Sequence, residues 1–281
     1  MAVKIVTDSL GDVPSEVAEE LGISVIPITV LFGTEVYRDG IDLTTEQFYD
    51  KLMHSKILPT TAVPPLGAFV EVYDRLAEET DEILVITISH KLSATYEAAL
   101  QAIELMMRKC RVEVVDSLTA IMGQGLMAIA AAKAANSGAS LDEVADLTRN
   151  NMSRADLRMA FDTLEYLKRG GRIGRAQAFL GSMLKVNPIL TVAEDGEVHP
   201  VVRERSRAKA IDYLYNFAMS FSHIEEMAVE HATTPDEAEM LVERLSSKFP
   251  KERIYRSKVS PVVGTHVGPH VLAVSVLGDR E

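Results

Sequence analysis

Residues 83–88 read Ile83-Leu84-Val85-Ile86-Thr87-Ile88, and residues 112–115 read Val112-Glu113-Val114-Val115. The first is a short apolar run of strand length with little alternation, the pattern of a strand covered on both faces. A helix over Thr95–Met107 separates the two. Strand, helix, strand is the crossover that joins parallel neighbours, so this stretch predicts a parallel sheet layered with helices. The same alternation extends outward. Val3–Thr7 is a strand, and Pro14–Leu21 is a helix started by Pro14 and stopped by Gly22. Ile23–Leu31 is a β-branched strand that Pro27 places near an edge or bulge. Thr44 and Gln47 form a capping-box pattern for a helix through Phe48, Leu52 and Met53. Leu58–Pro65 reads as a loop, Phe69–Ala77 as a helix and Thr119–Ala135 as an apolar helix, and Ser140 with Glu143 caps one more.

The second half has another grammar. Leu157–Phe161 and Pro188–Val192 read as strands, and Asp195-Gly196 is a hairpin turn into Val198–Val202. Helices at Ala208–Phe221 and Pro235–Ser247 flank a strand at Met227–Glu230, with further strands at Arg253–Ser257 and Val271–Leu277. Hairpin mixed with crossover predicts a mixed sheet with helices on one face. The expected organisation is therefore α/β with two domains. Residues 1–150 form a three-layer parallel-sheet domain, and residues 151–281 form a two-layer mixed-sheet domain.

Composition narrows the function classes. The 281 residues are 47% hydrophobic and 25% charged, an ordinary globular balance. A net charge of −12 argues against nucleic-acid binding, which needs a basic surface. The single cysteine, Cys110, forms no internal disulfide and fits a reducing compartment. Asp8 follows the N-terminus too closely for a signal-peptide core. Gly123, Gln124, Gly125 and Lys133 interrupt the longest apolar stretch, which falls short of the ~20 apolar residues of a spanning helix. The expectation is a cytoplasmic protein that is not an integral membrane protein.

Several motifs invite chemistry. Gly123-Gln-Gly125-Leu-Met-Ala128 matches a dinucleotide fingerprint on paper, but its glycines fall inside a helix and read as close-packing residues. His266 and His270 are four apart, yet Gly264, Gly268 and Pro269 argue against a zinc-binding helix, so no metal is expected. Ser93, His266 and either Asp8 or Asp116 could make a hydrolase triad, though no G-x-S-x-G elbow surrounds Ser93, which also suits a helix N-cap. Lys168, Arg169, Arg172 and Arg175 surround Gly170-Gly171, and Arg203, Arg205, Arg207 and Lys209 form a second basic cluster. Such arginines suit an acidic partner or phosphate groups.

Read in order, Ile5-Val6-Thr7-Asp8-Ser9, Tyr37-Arg38-Asp39-Gly40-Ile41-Asp42, Pro59-Thr60-Thr61, Ile88-Ser89-His90-Lys91-Leu92-Ser93-Ala94-Thr95-Tyr96 and Val115-Asp116-Ser117 resemble the signatures of the DegV family. Tyr166-Leu167-Lys168-Arg169-Gly170-Gly171-Arg172-Ile173, Asn187-Pro188-Ile189-Leu190 and Gly264-Thr265-His266-Val267-Gly268-Pro269 continue the resemblance. It implies a long-chain fatty acid held between two α/β domains, with no other cofactor. It also implies a non-catalytic subunit that presents the acyl carboxylate to a separate ATP-dependent fatty acid kinase, which makes acyl phosphate for phospholipid synthesis in bacteria. On this likeness Thr61, Ser93 and His266 hold the carboxylate, with Ala62, Thr95, Thr265 and His270 adjacent. Arg172 and Arg205 face the pocket mouth or the kinase, and Arg203 and Arg207 are alternatives to Arg205. A lipid hydrolase using Ser93 and His266, and a lipid sensor without a kinase, are the competing readings. The chemistry is coherent: a carboxylate only accepts hydrogen bonds, so two hydroxyls and an imidazole N–H satisfy it, best with the imidazole protonated or in the correct tautomer. Ala62, Asn187, His90 and His270 depart from the family pattern.

Overall fold

The computed structural model describes residues 2–182 and 186–280. Thirteen strands among them form three sheets. Strands β1 (Lys4–Asp8), β2 (Ser24–Ile26), β3 (Thr29–Phe32), β4 (Glu35–Arg38), β5 (Thr60–Ala62), β6 (Glu82–Thr87) and β7 (Arg111–Asp116) lie in the first half. Strands β8 (Ala155–Ala160), β9 (Asn187–Val192), β10 (Val198–Glu204), β11 (Phe221–His231), β12 (Ile254–Lys258) and β13 (Leu272–Arg280) lie in the second.

The parallel sheet runs β2-β1-β6-β7. Val6, Ile26, Ile83 and Val85 pack with Phe69 and Tyr73 of helix Leu66–Leu76 and with Ala98 and Ala99 of helix Thr95–Ile103. Ile5, Leu84 and Ile86 turn the other way, onto helix Ile121–Asn136. This is the three-layer arrangement that the uninterrupted apolar strands required.

The mixed sheet runs β10-β9-β8-β13-β11-β12, with β11–β12 parallel and the other pairs antiparallel. Met227, Val229, Val274 and Val276 pack under helices Arg207–Met219 and Pro235–Leu245. Ala228 and Leu277 face helix Ile121–Asn136 instead. That helix is therefore clasped between two sheets, which explains why it is apolar on every side. Its glycines serve this packing: a Cβ on Gly123 would lie 2.5 Å from Thr119 Oγ1 and 2.9 Å from Leu157 Cδ2, and one on Gly125 would overlap the carbonyl oxygen of Gly11.

Three expectations need correction. Ile23–Leu31 is two strands in two sheets: Pro27 has no N–H to continue the ladder, and the chain leaves β2 to start β3. The loop Leu58–Pro65 contains β5, which pairs with β3 in a small antiparallel sheet of order β4-β3-β5. The segment around His266 is helical, over Pro261–Val267. Ser260 caps it, Pro261 suits its first turn, and Gly264 lets it press on an aromatic pair, so the glycine serves packing there.

Candidate functional site

The small sheet and the corrected helix bring two distant residues together. Thr61 lies in β5, held by its pairing with Val30. His266 occupies the last turn of helix Pro261–Val267, and its Nε2 is 3.0 Å from Thr61 Oγ1. Ser93 follows β6 in a turn closed by the N–H groups of Leu92 and Ser93 on the carbonyl of Ser89. The Ser89 hydroxyl donates to Gly196 O at 2.8 Å, tying this turn to the β9–β10 hairpin. Arg172 follows helix Glu165–Arg169, donating from Nε to Leu92 O and from Nη1 to Gly170 O. A Cβ at Gly170 would overlap His266 Nδ1, so the glycine makes room for the imidazole.

Thr61, Ser93, Arg172 and His266 line one cavity of about 100 Å³. The rest of its wall is largely apolar and comes from both halves of the chain: Leu10, Ile28 and Ile121 from the first, Met159, Leu167 and Val192 among those of the second. These side chains belong to a shared core cluster rather than to either half alone.

Burial, and then the nearby Arg172 guanidinium, lowers the His266 pKa to about 4. The imidazole is thus neutral at physiological pH, so of the two expected forms, cation or correctly placed neutral tautomer, the neutral one applies. Its Nδ1 is buried without a hydrogen-bond partner among the described residues. A proton on Nε2, donated to Thr61, leaves only an unpaired lone pair at Nδ1, and buried acceptors tolerate this better than buried N–H groups. Thr61 then has its own O–H to donate into the cavity. Positive charge comes from Arg172, which the sequence reading placed at the mouth or on a docking surface.

The other candidates divide. Ala62 lines the cavity. Thr95 is buried behind it, 2.8 Å from Ser93 by hydroxyl contact, and Ser93 does not cap the helix, whose N-cap is Ala94. Thr265 turns away and donates to Pro261 O. His270 is exposed and is not among the lining residues. No triad forms among the described residues: Ser93 pairs with Thr95, Asp116 with His90, and the Asp8 carboxylate with the N–H groups of Leu10 and Ile88. Of the second basic cluster, Arg207 is bound to Glu237 and Asp162, and Arg203 lies over Phe179. Arg205 is exposed and makes no ion pair among the described residues. Asn187 donates to Phe161 O and Asp162 at the start of β9, a structural role. Sequence reasoning missed the apolar lining, because it is drawn from separate segments with no shared spacing.

The family pattern described as "Uncharacterised protein, DegV family" matches residues 2–279. The chain belongs to the DegV family. Protein DegV of Bacillus subtilis is 36% identical over 279 residues, covering 98% of each chain. A DegV domain-containing protein of Clostridium perfringens is 34% identical over 287 residues, covering 100% of each. Among solved structures, DegV of Bacillus subtilis, described as a fatty acid binding protein, superposes with TM-score 0.90 at 33% identity, covering 99% of this chain and 100% of that one. A DegV family protein from Thermus thermophilus, described for its fatty acid binding, superposes with TM-score 0.89 at 32% identity over the same shares. No helix of the described residues is long and apolar enough to cross a membrane.

Proposed function

We propose that this DegV protein binds a long-chain fatty acid between its halves, residues 1–150 and 151–281, and presents the carboxylate to a separate ATP-dependent fatty acid kinase in the bacterial cytoplasm. The observation that carries the reading is the convergence of Thr61, Ser93, His266 and Arg172 on one otherwise apolar cavity. Thr61 and Ser93 donate hydroxyl hydrogens to the carboxylate, His266 orients Thr61 through Nε2, and Arg172 supplies the countercharge. The apolar wall takes the tail at roughly 0.8 kcal/mol per buried methylene. Ligand sites typically measure about 300–1,000 Å³. A wall of leucine, valine, isoleucine and methionine must therefore spread around a long chain, and unbranched Met159 adapts readily. The chain supplies binding and orientation, and phosphoryl transfer belongs to the kinase.

Native mass spectrometry of the purified protein tests the reading, followed by extraction and identification of the released molecule. One bound fatty acid, lost in Thr61→Ala and His266→Ala, is expected. Protein that carries no fatty acid and takes up none when it is added would refute it.

A further inference from the structure

A group of buried carboxyls lies behind the cavity wall and has no part in holding the head group. Ser9 and Asp12 line a solvent groove of about 740 Å³, whereas Leu10 between them lines the cavity. Ser260 likewise lines the groove, and Val262, Val263 and His266 on the helix that follows line the cavity. The partition is thin: Asp12 and Asp39 line its groove side, and Glu230 lies fully buried close to Asp12. Asp39 accepts from the Ser9 hydroxyl at 2.8 Å and also interacts with Val262 N–H and Ser260. Glu230 accepts from Met122 N, in the first turn of helix Ile121–Asn136, and from the Ser275 hydroxyl. Asp12 Oδ1 accepts from Ser260 N at 3.2 Å, at the start of the helix that carries His266.

Asp12 Oδ2 differs from the rest: it is buried and has no hydrogen-bond partner among the described residues. Asp12 is only 7% exposed. No lysine or arginine forms an ion pair with Asp12, Asp39 or Glu230 among the described residues; the donors on all three are neutral. A carboxylate oxygen without a donor, beside two further acids, is the natural place for a proton.

We propose that Asp12 is a positioning residue of the fatty-acid site that works in its protonated form, fixing the start of helix Pro261–Val267 and, through that helix, the place of His266. Ionisation puts an uncompensated charge between Asp39 and Glu230 and loosens the helix start, and ligand affinity falls. Burial, with the charges of Glu230 and Asp39, does raise the Asp12 pKa well above the carboxylate range. Other titratable groups face the cluster. Asp8 comes from β1. Tyr49 comes from helix Thr45–His54, with its own pKa raised by burial and by the two aspartates. Across the groove lie Glu16, Glu19, Glu46, Arg256 and Lys258. Lys258 is engaged by Glu46 and Arg256 by Glu239. The groove is the route by which the proton exchanges with water.

This inference rests on the fatty-acid reading above. Its test is the affinity for hexadecanoic acid at about pH 6.5 and about pH 9 in wild type, Asp12→Asn and Asp12→Ala. Asn keeps the Oδ1 acceptor, places an N–H₂ where Oδ2 lacked a donor, and suits the left-handed backbone of residue 12 (φ 48°). Wild type is expected to weaken by up to about tenfold per pH unit once Asp12 ionises. Asp39 and Glu230, raised by burial to about 7 and about 8, titrate over this range in every variant, so Asp12→Asn is expected to lose clearly less affinity than wild type between the two pH values, and Asp12→Ala is weaker at both. Identical pH profiles for wild type and Asp12→Asn overturn the proposal. If Asp12→Ala does not fold, the comparison of wild type with Asp12→Asn decides alone. If wild type takes up no hexadecanoic acid at either pH, the fatty-acid reading itself has failed, and this inference fails with it.

Discussion

Gly264→Ala separates helix propensity from site geometry. Gly264 sits inside helix Pro261–Val267 with helical backbone, so alanine there gains about 1 kcal/mol of intrinsic helix preference. The new Cβ would lie 2.6 Å from Tyr49 Oη and 2.7 Å from Phe48 Cε1, and ordinary contact begins near 3.4 Å. Both rings are buried, and they pack edge to face with centroids 5.0 Å apart. Tyr49 is pinned further by its hydrogen bond to Val259 O, 3.0 Å long. The rings have no room to retreat, so the helix must move by about 0.8 Å to restore contact. Overpacking of this kind costs about 1–3 kcal/mol, which matches or exceeds the propensity gain.

The larger effect falls on the site. His266 is two residues further along, and its 3.0 Å link to Thr61 stretches beyond hydrogen-bonding range if the helix carries it away by that shift. Misaligning one hydrogen bond to an ionised carboxylate costs about 1.5–3 kcal/mol, roughly 10–150-fold in affinity. Chemical denaturation would read the stability change, and titration with a fluorescent long-chain fatty acid would read the affinity. A folded Gly264→Ala protein with wild-type affinity would refute both the packing argument and the role of His266 in orienting Thr61 toward the head group.

Three further outcomes follow. The lowered His266 pKa means that the unfolded chain takes up the imidazole proton first as pH falls from about 6.5 to about 4, so His266 costs stability over that window. The difference between wild type and His266→Gln should open there, to roughly 3 kcal/mol at most, while Asp39, raised by burial to about 7, titrates in both proteins and cancels. Urea unfolding across that range checks it. Val198→Phe, on the cavity wall, should abolish binding of long acyl chains and leave the protein folded, as calorimetry and circular dichroism would reveal. Arg172→Ala should weaken fatty-acid binding itself, whereas Arg205→Ala should leave binding intact and slow kinase-dependent acyl phosphate formation; equal effects of both on binding would contradict the separation.

The layering was legible because it is written in local patterns. Capping boxes at Thr44 and Ser140 are local hydrogen bonds between neighbours in sequence, and both are present as expected. The helix expected over Thr119–Ala135 was legible as apolar and closely packed, but the second sheet that covers it was not. The break at Pro27 was half legible: the missing N–H was plain, but the second sheet to which the chain departs was not. Ser93 misled as an N-cap because its hydroxyl has a partner, Thr95, that competes with the helix start. Thr61 and His266 were named through a family resemblance and not through spacing, since 205 residues separate them.

By itself, the sequence determined most strands and helices of the two large sheets and the capping boxes at Thr44 and Ser140. These depend on side-chain alternation and on hydrogen bonds within one turn. Tertiary structure alone decided that Thr61 and His266 meet, that the imidazole is neutral, that Arg172 enters the cavity and that Asp12 is left with a bare oxygen. Each of those follows from desolvation and proximity among segments far apart in the chain, which no local pattern encodes.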